Sequence, residues 1–341
     1  MMAKREGPPS NQDSLNRLLI NAAHGDRELE TKLRRAFAAG IIGQMAPEGT
    51  AFKGAGTSPL RLGIEGSRLT TDLDASKPYG MSHADFTAQL IETTAKGWED
   101  FTATIKTQPQ HIPEDDKGHP IMDPEIVIVR HEVRLAYRGE PFHKTMFEVG
   151  GAKTPGTPTE LVVPHGELIA LFAKLQLPAP EAMKLITAER QIAEKLQAAL
   201  SAFDMDERIK KRREEGKSKD GDPRHRAHDL VDIRLLVDWY EQPGSPAGRQ
   251  LVLPAIGTEL RGLLAQESYS GPLQIVGEER WVDGYKLSAR GLTVPREMKE
   301  ALLWSNELLG ACLMASKPGP RFGPGCAGPP AGSKPAGPSL I

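Results

Sequence analysis

The sequence predicts an α+β fold, with strands and helices interleaved in the first half and helices alone in the second. Three observations carry this. From Ser14 to Met45 the apolar residues recur at helical spacing: Leu18, Leu19 and Ala22, then Leu29, Leu33, Phe37, Ile41 and Ile42. From Ile126 to Tyr137 the pattern changes to alternation, with Val129, Val133, Leu135 and Tyr137 on one face and Arg130, Glu132 and Arg134 on the other. Beyond residue 160 the long patterned segments return to helical spacing.

The elements follow in order. Ser14–Met45 reads as one or two helices. Gly54–Thr57 is a turn, followed by a short helix and a strand through Asp74. Ser82 is a helix N-cap, and the helix it opens is expected to run to Thr107. Pro109 to Pro124 is a polar loop. After the strand ending at Tyr137, Gly139-Glu140-Pro141 makes a turn and Phe142–Val149 a second strand. Alternation there puts Glu148 on the face of Met146, Lys144 and Phe142. A loop rich in Pro, Gly and Thr then runs to Thr159 and sets a domain boundary near 160. Glu167–Leu175, Ala182–Phe203, Ala227–Trp239, Gly257–Gln266 and Arg296–Met314 read as helices, with a charge run from Asp204 to Arg226 between the second and third. A chain of 341 residues has room for two cores. The expected domains are 13–160 and 161–315, with disordered ends at 1–12 and 316–341.

Composition narrows the function. Hydrophobic content of 39% and charged content of 26% fit a soluble globular protein. A net charge of -2 gives no global attraction to nucleic acid or to an anionic membrane, so either would need a local patch. No run of about eighteen apolar residues is present, so no membrane span is expected. The polar N-terminus lacks a signal core. Cys312 and Cys326 suggest neither a disulfide framework nor a thiolate metal site, and a reducing cytoplasm is the expected location.

The chemistry concentrates in Arg68-Leu69-Thr70-Thr71-Asp72-Leu73-Asp74. On a strand, Asp72 and Asp74 leave from one face, roughly 6.5–7 Å apart along it. Two such carboxylates can converge on hard divalent cations that also bind substrate phosphates. Alternatively they cap a strand end in water. The turn Lys53-Gly54-Ala55-Gly56-Thr57 offers backbone N–H groups and a hydroxyl to phosphates. Glu148 is either a third carboxylate at the same locus or an edge acid paired with Lys144. Lys195 sits on an apolar helical stripe with Ala188, Ile192 and Ala199, so it either snorkels to water or reaches a cleft. Arg226, Asp229 and Asp232 open a later helix, where Asp229 also suits the dipole. Lys210, Lys211, Arg212 and Arg213 form a basic run that could track an RNA backbone or lie solvated beside Asp206, Glu207, Glu214 and Glu215. His225 and His228 lack a third converging ligand.

Taken in order, these motifs resemble the AbiEii-type nucleotidyltransferase toxins. The glycine turn at Lys53–Thr57 leading to Asp72-Leu73-Asp74 is similar to that family's first motif. Glu194-Lys195-Leu196 is similar to its Lys-Leu motif, and Arg226-x-x-Asp229-Leu230-x-Asp232 to its Arg-Asp-x-x-Asp motif. The resemblance covers roughly residues 15 to 315. The turn is longer than the family's Gly-Gly-Thr, and two residues separate Arg226 from Asp229.

The resemblance implies a polymerase-beta-like nucleotidyltransferase domain, a mixed sheet with flanking helices, followed by a mostly helical domain. It implies transfer of an NMP from an NTP to an RNA acceptor, the 3′ end of tRNA in some members, and a cognate antitoxin as partner. On this view Asp72 and Asp74 hold two Mg²⁺ ions and Glu148 orients or deprotonates the acceptor hydroxyl. Lys53, Gly56, Thr57, Arg68 and Lys195 bind the nucleotide. Asp229 positions Lys195 or the acceptor, with Arg226 and Asp232 in support. Two other readings remain: the same fold acting on a protein or small molecule, and an idle domain that binds nucleotide or a partner.

Overall fold

A computed structural model describes residues 7–109, 124–151, 156–214, 226–242, 248–277, 279 and 281–316, with backbone only at 203–214. The predicted Gly/Pro tail beyond 316, most of the predicted 109–124 loop and the charged segment 215–225 lie outside the described residues. So do the side chains of Lys210, Lys211, Arg212 and Arg213.

In chain order the elements are α1 (Gln12–Ala22), α2 (Arg27–Met45), β1 (Ala51–Lys53), a 3-10 turn (Ala55–Thr57), α3 (Ser58–Leu62), β2 (Asp72–Ser76) and α4 (His83–Lys96). Next come β3 (Phe101–Thr107), β4 (Val129–Tyr137), β5 (Glu140–Gly150), β6 (Thr159–Val162), α5 (Gly166–Lys174) and β7 (Met183–Ile186). The chain continues with α6 (Ala188–Glu214), α7 (Ala227–Glu241), α8 (Leu253–Gln266), α9 (Trp281–Ala289) and α10 (Met298–Ala315).

The strands make one mixed sheet of seven in the order β3-β4-β5-β2-β1-β7-β6. β2 is central, parallel to β5 and antiparallel to β1. One sheet face is covered by α2, whose start is fixed by Asp26: its side chain accepts from the N–H groups of Glu28 and Leu29 at 2.8 and 3.0 Å. Phe37, Ile41 and Ile42 on α2 are fully buried, each such side chain contributing roughly 1.5–3 kcal/mol. They join Phe101, Tyr137, Phe147 and Phe172 in the first core. A second core, from Ile192 to Cys312, is helical and is built by α6 to α10, with Leu62 of α3 reaching into it. No helix among the described residues is long and apolar enough to cross a membrane.

The structure departs from the sequence reading in five places, the first being that β7 occupies the start of the helix expected over Ala182–Phe203, which begins only at Ala188. The helix expected to reach Thr107 stops at Lys96, because Gly97 takes φ +80° and its N–H closes on Thr93. Phe101–Thr107 is instead a strand, with Phe101 and Ala103 buried and Thr102 and Thr104 exposed. The boundary expected near 160 falls inside the sheet: β6 and β7 are strands, and the first core extends to Leu185. Short four-residue strands carry too little pattern to announce themselves. Residues 7–12, expected to be disordered, pack on the sheet edge, where Tyr137 Oη donates to the Pro9 carbonyl at 2.6 Å. Phe142 does not share the face of Glu148. A register shift between Leu135 and Ala136 turns it inward against Phe37 and Phe101.

Candidate active site

The site is assembled around β2. Leu73 and Ala75 point into the core, which leaves Asp72 and Asp74 on the opposite face. Strand pairing then lines up Lys53, Asp74 and Glu148 in one row across β1, β2 and β5. Glu148 is partnered outward by Arg130 at 2.8 Å, not by Lys144, which instead reaches Glu132.

The glycine turn packs directly on this pair. Gly54 has φ +72°, and a Cβ there would come within 2.1 Å of Asp74 Oδ2. At Gly56 a Cβ would meet the Asp72 carbonyl oxygen at 2.4 Å. Thr57 is fully buried, and its hydroxyl donates to the Gly54 carbonyl at 2.8 Å. Gly56 and Thr57, expected to contact phosphates, are buried and pack the turn against β2. Lys53, Gly54 and Ala55 are the turn residues that face open space.

That space is a cleft of about 370 Å³ between the sheet and the helical half, within the usual range for small-molecule sites. Asp72 and Asp74 form one wall. Gln191, Glu194 and Lys195 of α6, with Arg226, His228 and Asp229 at the start of α7, form the other. Lys195 Nζ donates to Asp229 Oδ1 at 2.8 Å and to Asp232 Oδ2 at 2.7 Å. Arg68 closes the network, its Nε and Nη2 donating to Asp232 at 2.7 and 3.0 Å. The snorkelling reading of Lys195 is thus excluded; its side chain is only 10% exposed.

The two walls differ electrostatically. Burial pushes the Asp74 carboxyl up to about 6; Lys53 and Lys195 oppose this, and Glu148 and Asp72 reinforce it. Burial also disfavours the Asp229 carboxylate, but Lys195, His228 and Arg226 outweigh it and hold the group at about 2. Asp232 is lowered for the same reason by Lys195 and Arg68. Burial opposes the charge on Lys195, yet Asp229 and Asp232 keep it protonated.

The residues fit a hard divalent cation in one specific way. Among the described residues no group of three or more His, Cys, Asp or Glu stands ready as a complete cage. Mg²⁺ does not need one: it is commonly held by one or two carboxylates plus substrate phosphates and water. Asp72 and Asp74 supply that partial oxygen set, and the raised Asp74 pKa marks negative charge that its neighbours leave under-compensated.

Several contributing residues escaped the sequence reading. Gln191 donates to the Gly54 carbonyl at 3.1 Å and ties the turn to α6. Its position four residues before Lys195, with Ala198 three beyond, is the one signal that could have placed it on the cleft stripe. Arg35 of α2 donates to the Thr70 carbonyl at 2.5 Å and holds the segment entering β2. Arg190, 4% exposed, pairs with Glu194 and Glu259.

Comparison with solved structures finds MenT4, a nucleotidyltransferase toxin from Mycobacterium tuberculosis H37Rv, at 16% identity and TM-score 0.51, covering 87% of this chain and 89% of that one. An antigenic nucleotidyltransferase-like protein from Paracoccidioides brasiliensis aligns at 15% identity and TM-score 0.32, over 76% of this chain and 90% of that one. No curated protein matches the sequence. The family model described as "Nucleotidyl transferase AbiEii toxin, Type IV TA system" matches residues 45–284, well over half of the chain and every element of the cleft. The protein is therefore a nucleotidyltransferase belonging to the AbiEii toxin family of type IV toxin–antitoxin systems.

Proposed function

We propose that the protein transfers an NMP from an NTP to a hydroxyl at an RNA 3′ end, with tRNA as the acceptor class, and that this transfer is the toxic activity a cognate antitoxin restrains. One observation carries the reading: a single cleft sets the Asp72–Asp74 pair opposite Lys195 and Arg226, with the turn residues Lys53, Gly54 and Ala55 beside them. Asp72 and Asp74 would hold two Mg²⁺ ions, which supply charge neutralisation for the triphosphate and polarise the reacting oxygens when bound.

The chain's own groups do the rest. Lys53 and the backbone at Gly54 and Ala55 face the triphosphate from the turn, and Arg226 does so from α7. Lys195 is held charged and immobile by Asp229 and Asp232, so its ammonium has a fixed position on the cleft wall facing the nucleotide. Arg68 locks the segment entering β2 to α7 and so fixes the two carboxylates relative to Lys195. Glu148, beside Asp74 and oriented by Arg130, accepts the proton of the acceptor hydroxyl. The hydroxyl oxygen bonds to the α-phosphorus, the bond from that phosphorus to the bridging oxygen breaks, and pyrophosphate departs.

The test is incubation with Mg²⁺, total cell extract and each NTP radiolabelled at the α-phosphate. Label on RNA is expected, lost by at least about 10³-fold in Asp72→Ala and Asp74→Ala. Label on a polypeptide or small molecule would replace the acceptor and keep the chemistry. No Mg²⁺-dependent label at all would leave the idle, nucleotide-binding domain as the correct reading.

A further inference from the structure

Asp72 faces two cavities. The first is the cleft already described. The second, of about 500 Å³, opens on the other side of Arg68 and Asp72, between α2 and α9. Arg68, Thr70, Asp72 and His228 line both, whereas Asp74 lines only the first. A group transfer between two substrates needs two approaches that meet at the reacting bond, and Asp72 stands where these two meet.

The chemistry of the second cavity differs from that of the first. Lys32 of α2 reaches it from the sheet half, and Arg290, just past α9, from the helical half. Among the described residues neither makes an ion pair, although most basic groups near the cleft do. Two exposed apolar side chains, Leu69 at 38% and Leu287 at 74%, flank them. Cations outside any ion pair, beside exposed apolar surface, suit a strand that carries both backbone phosphates and bases. Glu28, one turn before Lys32 on α2, also lines this cavity, so its charge is mixed rather than purely basic.

We propose that this second cavity receives the 3′-terminal nucleotides of the RNA acceptor, with backbone phosphates at Lys32 and Arg290 and the terminal ribose hydroxyl presented at Asp72, while the triphosphate occupies the first cleft. The inference rests on the transferase reading above and adds the acceptor's path. The hydroxyl oxygen arriving from the second cavity bonds to the α-phosphorus as its proton passes to a carboxylate of the acidic face on β2 and β5, the bond from that phosphorus to the bridging oxygen breaks, and the pyrophosphate released retreats through the first cleft.

The experiment uses the full chain carrying Lys32→Glu and Arg290→Glu together, with bulk deacylated tRNA as the probe. The KM for tRNA is expected to rise about tenfold or more, and the salt slope of tRNA binding to fall by about two. NTP binding measured by calorimetry should stay within twofold of wild type. A control, Lys106→Glu with Lys144→Glu on the open sheet face, should leave both constants unchanged. An unaltered KM for tRNA in the Lys32/Arg290 variant overturns the proposed path. So does an equal loss in the control, which would mean diffuse attraction. Failure of the wild-type protein to label any RNA refutes the RNA-acceptor reading on which this path rests, a result distinct from either.

Discussion

The two walls of the cleft hold almost the same ingredients and arrange them oppositely. On the α6–α7 wall, joined by Arg68 from the segment entering β2, two carboxylates and two cations neutralise each other at 2.7 to 3.0 Å. On the sheet wall, Asp72, Asp74 and Glu148 cluster on one face, with Lys53 and Arg130 at the ends of the row. The first wall is largely closed on itself, with Asp229 Oδ2 the one carboxylate oxygen of the Asp229–Asp232 pair lacking a hydrogen-bond donor among the described residues. Burial opposes the charge on both walls; on the second, Lys53 and Lys195 do not offset it against Glu148 and Asp72, so Asp74 sits at about 6 where Asp229 sits at about 2. The contrast shows where a cation has something to gain: on the wall that lacks its own.

The largest effect should follow from opening the closed wall. Lys195→Met leaves Asp229 and Asp232 buried together without their shared cation, at a cost of roughly 3–5 kcal/mol. Urea unfolding measures this. Adding Asp229→Asn to that variant should recover part of the loss while NMP transfer stays low. A Lys195→Met protein with the wild-type urea midpoint would show that the network is not closed.

The open wall should respond with the opposite sign. A carboxyl whose folded pKa is raised favours folding fully below its unfolded value near 3.8, and that contribution is lost as pH rises through about 6. Asp74→Asn should therefore stabilise the metal-free protein at pH 8, by on the order of 3 kcal/mol, and the gain should vanish by pH 4. Asp229, held at about 2, contributes stability above pH 3.8 that is lost as pH falls toward 2, so Asp229→Asn should be destabilising at pH 8. Melting curves across pH 4 to 8 check both signs. Mg²⁺ should raise the melting temperature of the wild type and not that of Asp74→Asn. Equal pH profiles for the two variants would erase the distinction between the walls.

The smallest effect should come from the rim. Arg130 is 46% exposed where it meets Glu148. Arg130→Gln should change stability by under about 1 kcal/mol, because water screens the pair. Its use is diagnostic: a loss of transfer much larger than the loss of stability in this variant would assign Arg130 to orienting Glu148. Proportional losses would count it as scaffold.

Legibility in the sequence followed the length and regularity of each pattern. The nine-residue alternation of β4 and the i, i+3, i+4 stripe of α2 were readable because each repeats several times. β6 and β7, four residues each, were not, and the expected boundary fell too early as a result. At the site, Asp72, Asp74, Lys195 and Asp229 were visible because their spacing has few other uses in combination. A turn's letters do not say which of its residues faces outward: Gly54 lines the cleft, whereas Gly56 and Thr57 are buried. Gln191, Arg35 and Arg190 left almost no trace, because a lone polar residue on a helix means little until its partner is known.

By itself the sequence determined the residue types and their order: the acidic pair after a glycine turn, the lysine on an apolar stripe, the helix opening with two acids, and the family these compose. Tertiary structure alone decided that Lys195 is spoken for by Asp229 and Asp232, that Asp74 is under-compensated, and that Asp72 looks into two cavities. The reason is physical. Spacing along a chain fixes which way neighbouring side chains point, but charge balance and cavity shape depend on groups more than a hundred residues apart, which meet only after both cores have packed.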